Sequence, residues 1–416
     1  MAGLSMPSFK STCFVLEGLN SLSTTYYFYY IYFFAEAKFG FGKLENLVLA
    51  AGLGLSYAAA SALGGKLAQK WGYLEALGLG SVMMGVAQCV GAGADSLTVH
   101  LGVMAVAVFG MGMTWPALQA LVSDGEERRR MQTMVGIYNL VWSLAGALAY
   151  LTGGAMLESW GLDSMFIVPA ALNGLQVLII VILRKNHPLR PIVSICDAEP
   201  TVAGTGAAVP AGVEPRTFLR MAWFANPFAY LTINTVVAFG PVIAKSLSLS
   251  PRYAGYYCSV WMFVRTASFV LLWLWPAWHY RFRWMVAAYL GMTFAFVLIL
   301  LSPNVPALVL AQIGFGFSIG LIYYSSLFYS MDVGETKGEH GGIHEAAIGL
   351  GSSAGPALGA TILYFAPQVQ HATPKAVGVV LMLGFFGLLW LRRRQIAIKK
   401  RAPNEPPHPS PRPSPH

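Results

Sequence analysis

The sequence predicts an all-α membrane protein whose twelve transmembrane helices form two six-helix bundles, and three observations carry that prediction. The 416-residue chain holds twelve apolar segments, six on each side of one polar stretch around residues 184–220. Each is about 20 residues or longer, the length that crosses a bilayer. Composition agrees: 56% of the residues are hydrophobic and 11% charged, with a mean hydropathy of +0.57, whereas soluble domains average about 25% charged. Finally, the two groups of six align with each other in a constant register. Segments apolar most of the way round face lipid, where only helices or closed barrels satisfy their own backbone, and runs this long are helices.

The spans are read at 12–36, 43–68, 74–93, 97–122, 132–157 and 161–184, then 217–244, 250–278, 283–302, 305–330, 341–366 and 374–394. The first begins after a single Lys10 and continues through Asn20 and a run of tyrosines without a small-residue cleavage site. It is therefore expected to be a transmembrane helix and not a signal peptide. Between the sixth and seventh spans, Pro188, Pro191, Pro200, Pro210 and Pro215 interrupt any helix. The expected organisation is an N-terminal bundle over 1–184, a cytoplasmic linker over 185–216 and a C-terminal bundle over 217–394. The Pro-rich remainder, 395–416, is expected to be a disordered cytoplasmic tail of polyproline character.

The net charge of +9 is a matter of topology. With the N-terminus inside, 21 of the 27 Lys and Arg fall on the cytoplasmic side, and Lys38, Lys43, Lys245, Arg252 and Lys375 fall outside. That bias places both termini in the cytoplasm and gives the basic surface to anionic lipid, not to nucleic acid. Four scattered cysteines with no CxxC spacing offer neither a disulfide framework nor a zinc site, so no metal or other cofactor is expected. The chain has no Asn-x-Ser/Thr acceptor, which favours a bacterial inner membrane. HExxH and P-loop motifs are missing too, and the short connections leave little chain for a catalytic domain. An enzyme is not expected.

A shift of 206 residues lays Gly110 on Gly316, Gly136-Ile137 on Gly342-Ile343, Leu144 on Leu350 and Gly153 on Gly359 without a gap. Asn20 falls on Asn226, and Asn139 on Glu345. The halves are parallel repeats, related by an axis along the membrane normal, which is one of the transporter designs. Between the second and third spans stands Gly65-Lys66-Leu67-Ala68-Gln69-Lys70-Trp71-Gly72. This loop resembles the G-x-L-A-D-R-x-G element of the major facilitator superfamily, with Gln69 where an aspartate is usual and Lys70 for arginine. The resemblance implies a gating loop at Gly65, Gln69, Lys70 and Gly72, although Gln69 carries no charge for the latch that the aspartate forms. The matching loop of the second half, Trp278 to Arg283, does not fit the pattern. In the eleventh span Gly351-Ser352-Ser353-Ala354-Gly355-Pro356 reads as close packing or as an antiport signature. The resemblance further implies that spans 1, 4, 7 and 10 line a central cavity with 2, 5, 8 and 11 beside them; a monomer working by alternating access is expected.

Ionisable groups in mid-membrane are functional candidates by default. Arg265 lies roughly 20 Å along the eighth span from its cytoplasmic end at 1.5 Å per residue. Its planar fork suits a carboxylate, phosphate or sulfonate; the competing reading is a structural pair with Glu345. His344 and Glu345 open the eleventh span and point about 100° apart. They are candidates for proton coupling, against the reading that both sit in a wet cytoplasmic mouth. Asn139, Trp142 and Ser143 share one helix face, as do Trp115 and Gln119. Tyr323 and Tyr324 in the tenth span, a tyrosine cluster around Tyr27 in the first, and Asn20 and Asn226 complete the polar set. Of these, Arg265, Asn139, Trp142, Trp115, Gln119, Tyr324, Tyr27 and Asn20 are the expected substrate residues. Spans 3, 6, 9 and 12 look nearly bare of polar groups. The acids of the first three spans (Glu17, Glu36, Glu45 and Glu75) read as lying near helix ends.

The expected function is secondary active transport of a small polar solute, with Arg265 pointing to an anionic group on it and protons as the coupling ion. The first alternative is a proton-driven efflux pump for amphipathic compounds, which calls for a greasier cavity and an acid in the first half. A membrane receptor or enzyme is the third reading. Neutral amides in the first half against Arg, His and Glu in the second place the coupling and charge chemistry in the second half.

Overall fold

The computed structural model describes residues 6–123, 128–186, 214–333 and 338–401; most of the expected linker and the Pro-rich tail lie outside them. Among the described residues the chain is helical, without a strand. The N-terminal half holds α1 (Met6–Phe39), α2 (Lys43–Trp71), α3 (Tyr73–Ala92), α4 (Leu97–Ser123), α5 (Arg128–Trp160) and α6 (Ser164–Asn186). The C-terminal half holds α7 (Pro215–Ala238), α8 (Gly240–Ser246), α9 (Pro251–Cys258), α10 (Val260–Leu274), α11 (Phe282–Leu300), α12 (Val305–Val333), α13 (Gly338–Phe365) and α14 (Ala372–Arg401).

Two of the twelve spans are broken helices, each for a visible reason. The seventh is α7 followed by α8, bent by 50°. Gly240-Pro241 stands at the joint, and a proline ends the ladder because it has no N–H to donate. The eighth is α9 followed by α10. There the Gln312 side chain of α12 enters the gap: its Nε2 donates to the Tyr257 carbonyl (2.7 Å) and its Oε1 accepts from the Trp261 N–H (3.3 Å). Those two backbone groups would otherwise bond each other one turn apart, so the inserted amide satisfies both ends of the break.

Among the described residues ten spans, with α9–α10 counted as one of them, are long and apolar enough to cross a membrane, and the bent pair α7–α8 is an eleventh. With 34 residues, α1 qualifies on length but not on apolarity. The reason is its content, since Glu17, Asn20, Ser21, Ser23 and Thr24 are all buried inside the protein. Only a helix with its polar face turned to a protein interior can carry that set through lipid.

Helices α1–α6 pack on one another, as do α7–α14, and the halves meet along α2–α13 and along α5 against α9 and α10. The α2–α13 contact is made by small residues. A Cβ at Gly54 would stand 2.5 Å from the Ser353 nitrogen, and one at Gly349 would stand 2.5 Å from the Ala58 nitrogen. Glycine is required at both for the backbones to approach. Gly349→Ala is therefore expected to cost about 1–3 kcal/mol, as overpacking does, seen as a lowered Tm of the purified protein. Gly102→Ala, where an added Cβ meets nothing within 4 Å, should leave Tm unchanged or slightly raised. Equal effects from the two would refute the close-packing account. At one end of the α5–α9 contact the Arg252 N–H donates to Glu158 Oε1 (2.8 Å), and its side chain lies 3.2 Å from Glu158 Oε2.

The third and sixth spans are not bare of polar groups. Asn173 of α6 donates to Ser23 Oγ (2.9 Å) and to Gln88 Oε1 of α3 (2.9 Å), and Gln176 donates to Asn173 Oδ1 (3.0 Å). Most of these buried amides satisfy each other, which is what makes them affordable in an apolar interior. They pin α1, α3 and α6 together and play a structural part.

At the loop joining α2 to α3, helix α2 runs on through Trp71 and stops at Gly72, whose φ of +115° is open to glycine. Gln69 and Lys70 are exposed, while Gly65 is buried. The second half holds its matching loop differently. The Tyr280 hydroxyl donates to Asp332 at the end of α12, and the Tyr280 N–H donates to Tyr329 Oη at 3.1 Å. Beside them the His279 ring stacks on Phe328 at 3.9 Å, and burial lowers its pKa to about 4, so the imidazole stays neutral.

Candidate functional site

Arg265 lies one turn beyond Trp261 on α10. Side chains on a helix lean toward its N-terminus, so the guanidinium folds back over its own Trp261, with Cζ 4.9 Å from the ring centre. From the other half, Trp142 of α5 covers it at 4.5 Å. The two indoles are themselves braced. Trp142 Nε1 donates to Asn139 Oδ1 one turn earlier (2.8 Å), and Trp115 meets the Trp142 ring edge-on. Trp261 packs against Phe315 and Tyr29. Tyr323 and Phe269 pack on Trp142 and on each other.

The guanidinium is 3% exposed and its Nε has no partner; among the described residues no carboxylate pairs with it. Each cation–π contact is worth about 0.5–2 kcal/mol, whereas burying an ion costs several kcal/mol. The rings hold the charge in place without compensating it. A planar fork held by rings and lacking a protein counter-ion has the chemistry of an anion receptor.

The structural pair of Arg265 with Glu345 does not form. Glu345 accepts from Tyr57 Oη on α2 (2.7 Å) and from Gln119 Nε2 on α4 (2.8 Å). Both donors belong to the first half and the acceptor to the second, so these hydrogen bonds cross between the halves. They also commit Gln119 to Glu345. His344 points elsewhere, toward the Tyr323 ring, and its Nε2 is buried without a partner.

Glu17 corrects the reading that the first half holds no mid-membrane acid. Helix α1 starts at Met6, which puts Glu17 about three turns inside it, wholly buried. Ser21 Oγ donates to its Oε1 (3.0 Å); its Oε2 has no hydrogen bond, although the Tyr138 hydroxyl stands beside it. Glu345 lies within electrostatic reach. Asn20, one turn along, is buried with both amide atoms unpartnered.

The structure thus brings Arg265, Trp142, Asn139 and Trp115 into one cluster and Glu345 with Gln119 into a second. Tyr27 and Tyr324 are in neither. Tyr27 packs on Phe28 and on Phe166 of α6, and Tyr324 on Phe269 and Trp278. Their neighbours in sequence, Tyr29 and Tyr323, face the Arg265 cluster instead.

The chain, whose described helices pack in two halves with polar clusters between them, matches the model of the Major Facilitator Superfamily over residues 13–334. The chain belongs to the major facilitator superfamily. Among solved structures its fold is similar to that of the human organic anion transporter MFSD10 (TETRAN), with a TM-score of 0.62 at 15% identity over 91% of this chain and 98% of that one. No curated protein matches the chain. The superfamily match takes in α1 to α12 and hence Arg265, Glu17 and both indoles, while Glu345 and His344 lie beyond it on α13.

Proposed function

We propose that this protein is a secondary active transporter for a small organic anion carrying an aromatic or other apolar body, coupled to protons and working by alternating access. The observation that carries this reading is Arg265, a cation held between two indoles with no counter-ion among the described residues. Glu345, hydrogen-bonded across the halves, is the proton carrier of that cycle. The neighbouring fold of an organic anion transporter is in keeping with the reading. The distribution of Lys and Arg supports cytoplasmic termini, and the missing Asn-x-Ser/Thr acceptor supports a bacterial inner membrane.

Efflux of amphipathic compounds remains the second reading, because Glu17 supplies the first-half acid that such a pump calls for. The two are separated by thermal unfolding of the purified protein with naphthalenesulfonate, its neutral sulfonamide and the cation tetraphenylphosphonium. A ligand that binds only the folded state raises Tm. The sulfonate should do so and the sulfonamide should not. Stabilisation by tetraphenylphosphonium alone would transfer the site to the second reading.

A further inference from the structure

We propose that Glu17 is a second proton-carrying carboxylate of the transport cycle, placed in the first half as the counterpart of Glu345 in the second. As a step in transport this rests on the transporter reading above; as a proton site it stands on the burial and hydrogen bonding of Glu17. Glu17 is entirely buried, and its one hydrogen bond comes from a hydroxyl on its own helix. A permanently ionised carboxylate in such a place needs a cation or several donors. The nearest cation on α1 is Lys10, two turns away, which donates to the Leu121 and Val122 carbonyls at the end of α4.

The titratable groups facing Glu17 are Tyr138 from α5, Tyr323 from α12 and Glu345 from α13. Two of these are neutral hydroxyls and one is another acid. Among the described residues no cationic side chain faces Glu17 from α4, α5 or α6, the helices packed most closely on α1. Two acids within electrostatic reach in a low-dielectric interior repel each other when both are ionised. Charge on one therefore opposes charge on the other.

The phenols lie beside both acids, since Tyr138 is within electrostatic reach of Glu17 and Glu345 and Tyr57 donates to Glu345. Ionisation of one half's acid is thereby linked to the protonation of the other's. The halves move relative to each other in the cycle, so the linkage changes as the Tyr57 and Gln119 bonds across them break. In each cycle an O–H bond forms on a carboxylate facing one aqueous side, and the same bond breaks toward the other side.

The test needs no transported solute. Infrared difference spectra of the reconstituted full-length protein between acidic and alkaline buffer report protonated carboxyl C=O groups directly. The wild type should show a carboxyl signal lost on alkalinisation. Glu17→Gln should remove one share of it, Glu345→Gln the other, and Glu17→Asp should restore a shifted band. Should Glu17→Gln not fold, Ser21→Ala serves, because losing that hydrogen bond must shift the Glu17 band. The proposal is overturned if the signal survives Glu17→Gln unchanged and vanishes with Glu345→Gln. It is also overturned if the carboxyl signal depends on sodium and not on pH, which would make Glu17 a metal-cation ligand. Because no anion is used, failure of naphthalenesulfonate to bind would defeat the anion reading and leave this result standing.

Discussion

Replacing Arg265 by glutamine is expected to abolish naphthalenesulfonate binding while leaving the ligand-free protein as stable as the wild type or more so. Truncating one partner of a buried, hydrogen-bonded charge pair costs about 2–5 kcal/mol. At about 1.4 kcal/mol for each factor of ten, the dissociation constant should rise roughly 30- to 3000-fold. The opposite sign in the ligand-free state follows from the missing counter-ion. With no carboxylate beside it among the described residues, the guanidinium is an uncompensated buried charge, and a neutral side chain removes that cost. Arg265→Lys keeps the charge but loses the fork and the broad face that stacks between Trp142 and Trp261, so it should restore only part of the affinity. Thermal unfolding with and without the sulfonate measures both quantities. A structural arginine would behave in the reverse way, with a large fall in ligand-free Tm and unchanged affinity in whatever folds.

The fold was legible because hydropathy, charge bias and the 206-residue register all report on solvation by lipid, which a sequence displays directly. The site was legible where one residue was costly enough to stand out. Arg265 is the only Lys or Arg expected inside the membrane, and the i, i+3 spacing of Asn139 and Trp142 does place the indole on its amide. Rotational phase was the main source of error. A helix turns about 100° per residue, so Tyr29 and Tyr323 face the Arg265 cluster while their neighbours Tyr27 and Tyr324 pack elsewhere. Glu17 was missed for a related reason: starting the first span at residue 12 put it near an end, while α1 begins a turn and a half earlier at Met6. The count of polar residues also misled in α3 and α6. What separates the central groups from Gln88, Asn173 and Gln176 is that most of the latter bond each other, whereas Asn20, Arg265 and His344 keep buried atoms without partners. That is a property of pairing in space, and composition does not show it.

The second large effect concerns Glu345. In proteoliposomes with an imposed pH gradient the wild type should drive naphthalenesulfonate to a concentration ratio of about tenfold for each pH unit per proton coupled, since one unit corresponds to about 1.4 kcal/mol. Glu345→Gln should reduce that ratio to about one, because a glutamine cannot take up a proton and release it. Exchange of labelled for unlabelled sulfonate across the same membrane should continue, because exchange needs the two halves to alternate but no net proton movement. The sulfonate stays ionised throughout, so any pH dependence belongs to the protein. Losing both activities would mark Glu345 as a structural acceptor for Tyr57 and Gln119, and Glu345→Asp checks this, because it keeps a titrating acid while shortening the reach to both donors. Retained accumulation in Glu345→Gln would move the coupling to Glu17 alone. The cross-half position makes decoupling the expected outcome: both donors to Glu345 come from the other half, so in the proposed alternating-access cycle breaking its hydrogen bonds and separating the halves are one event.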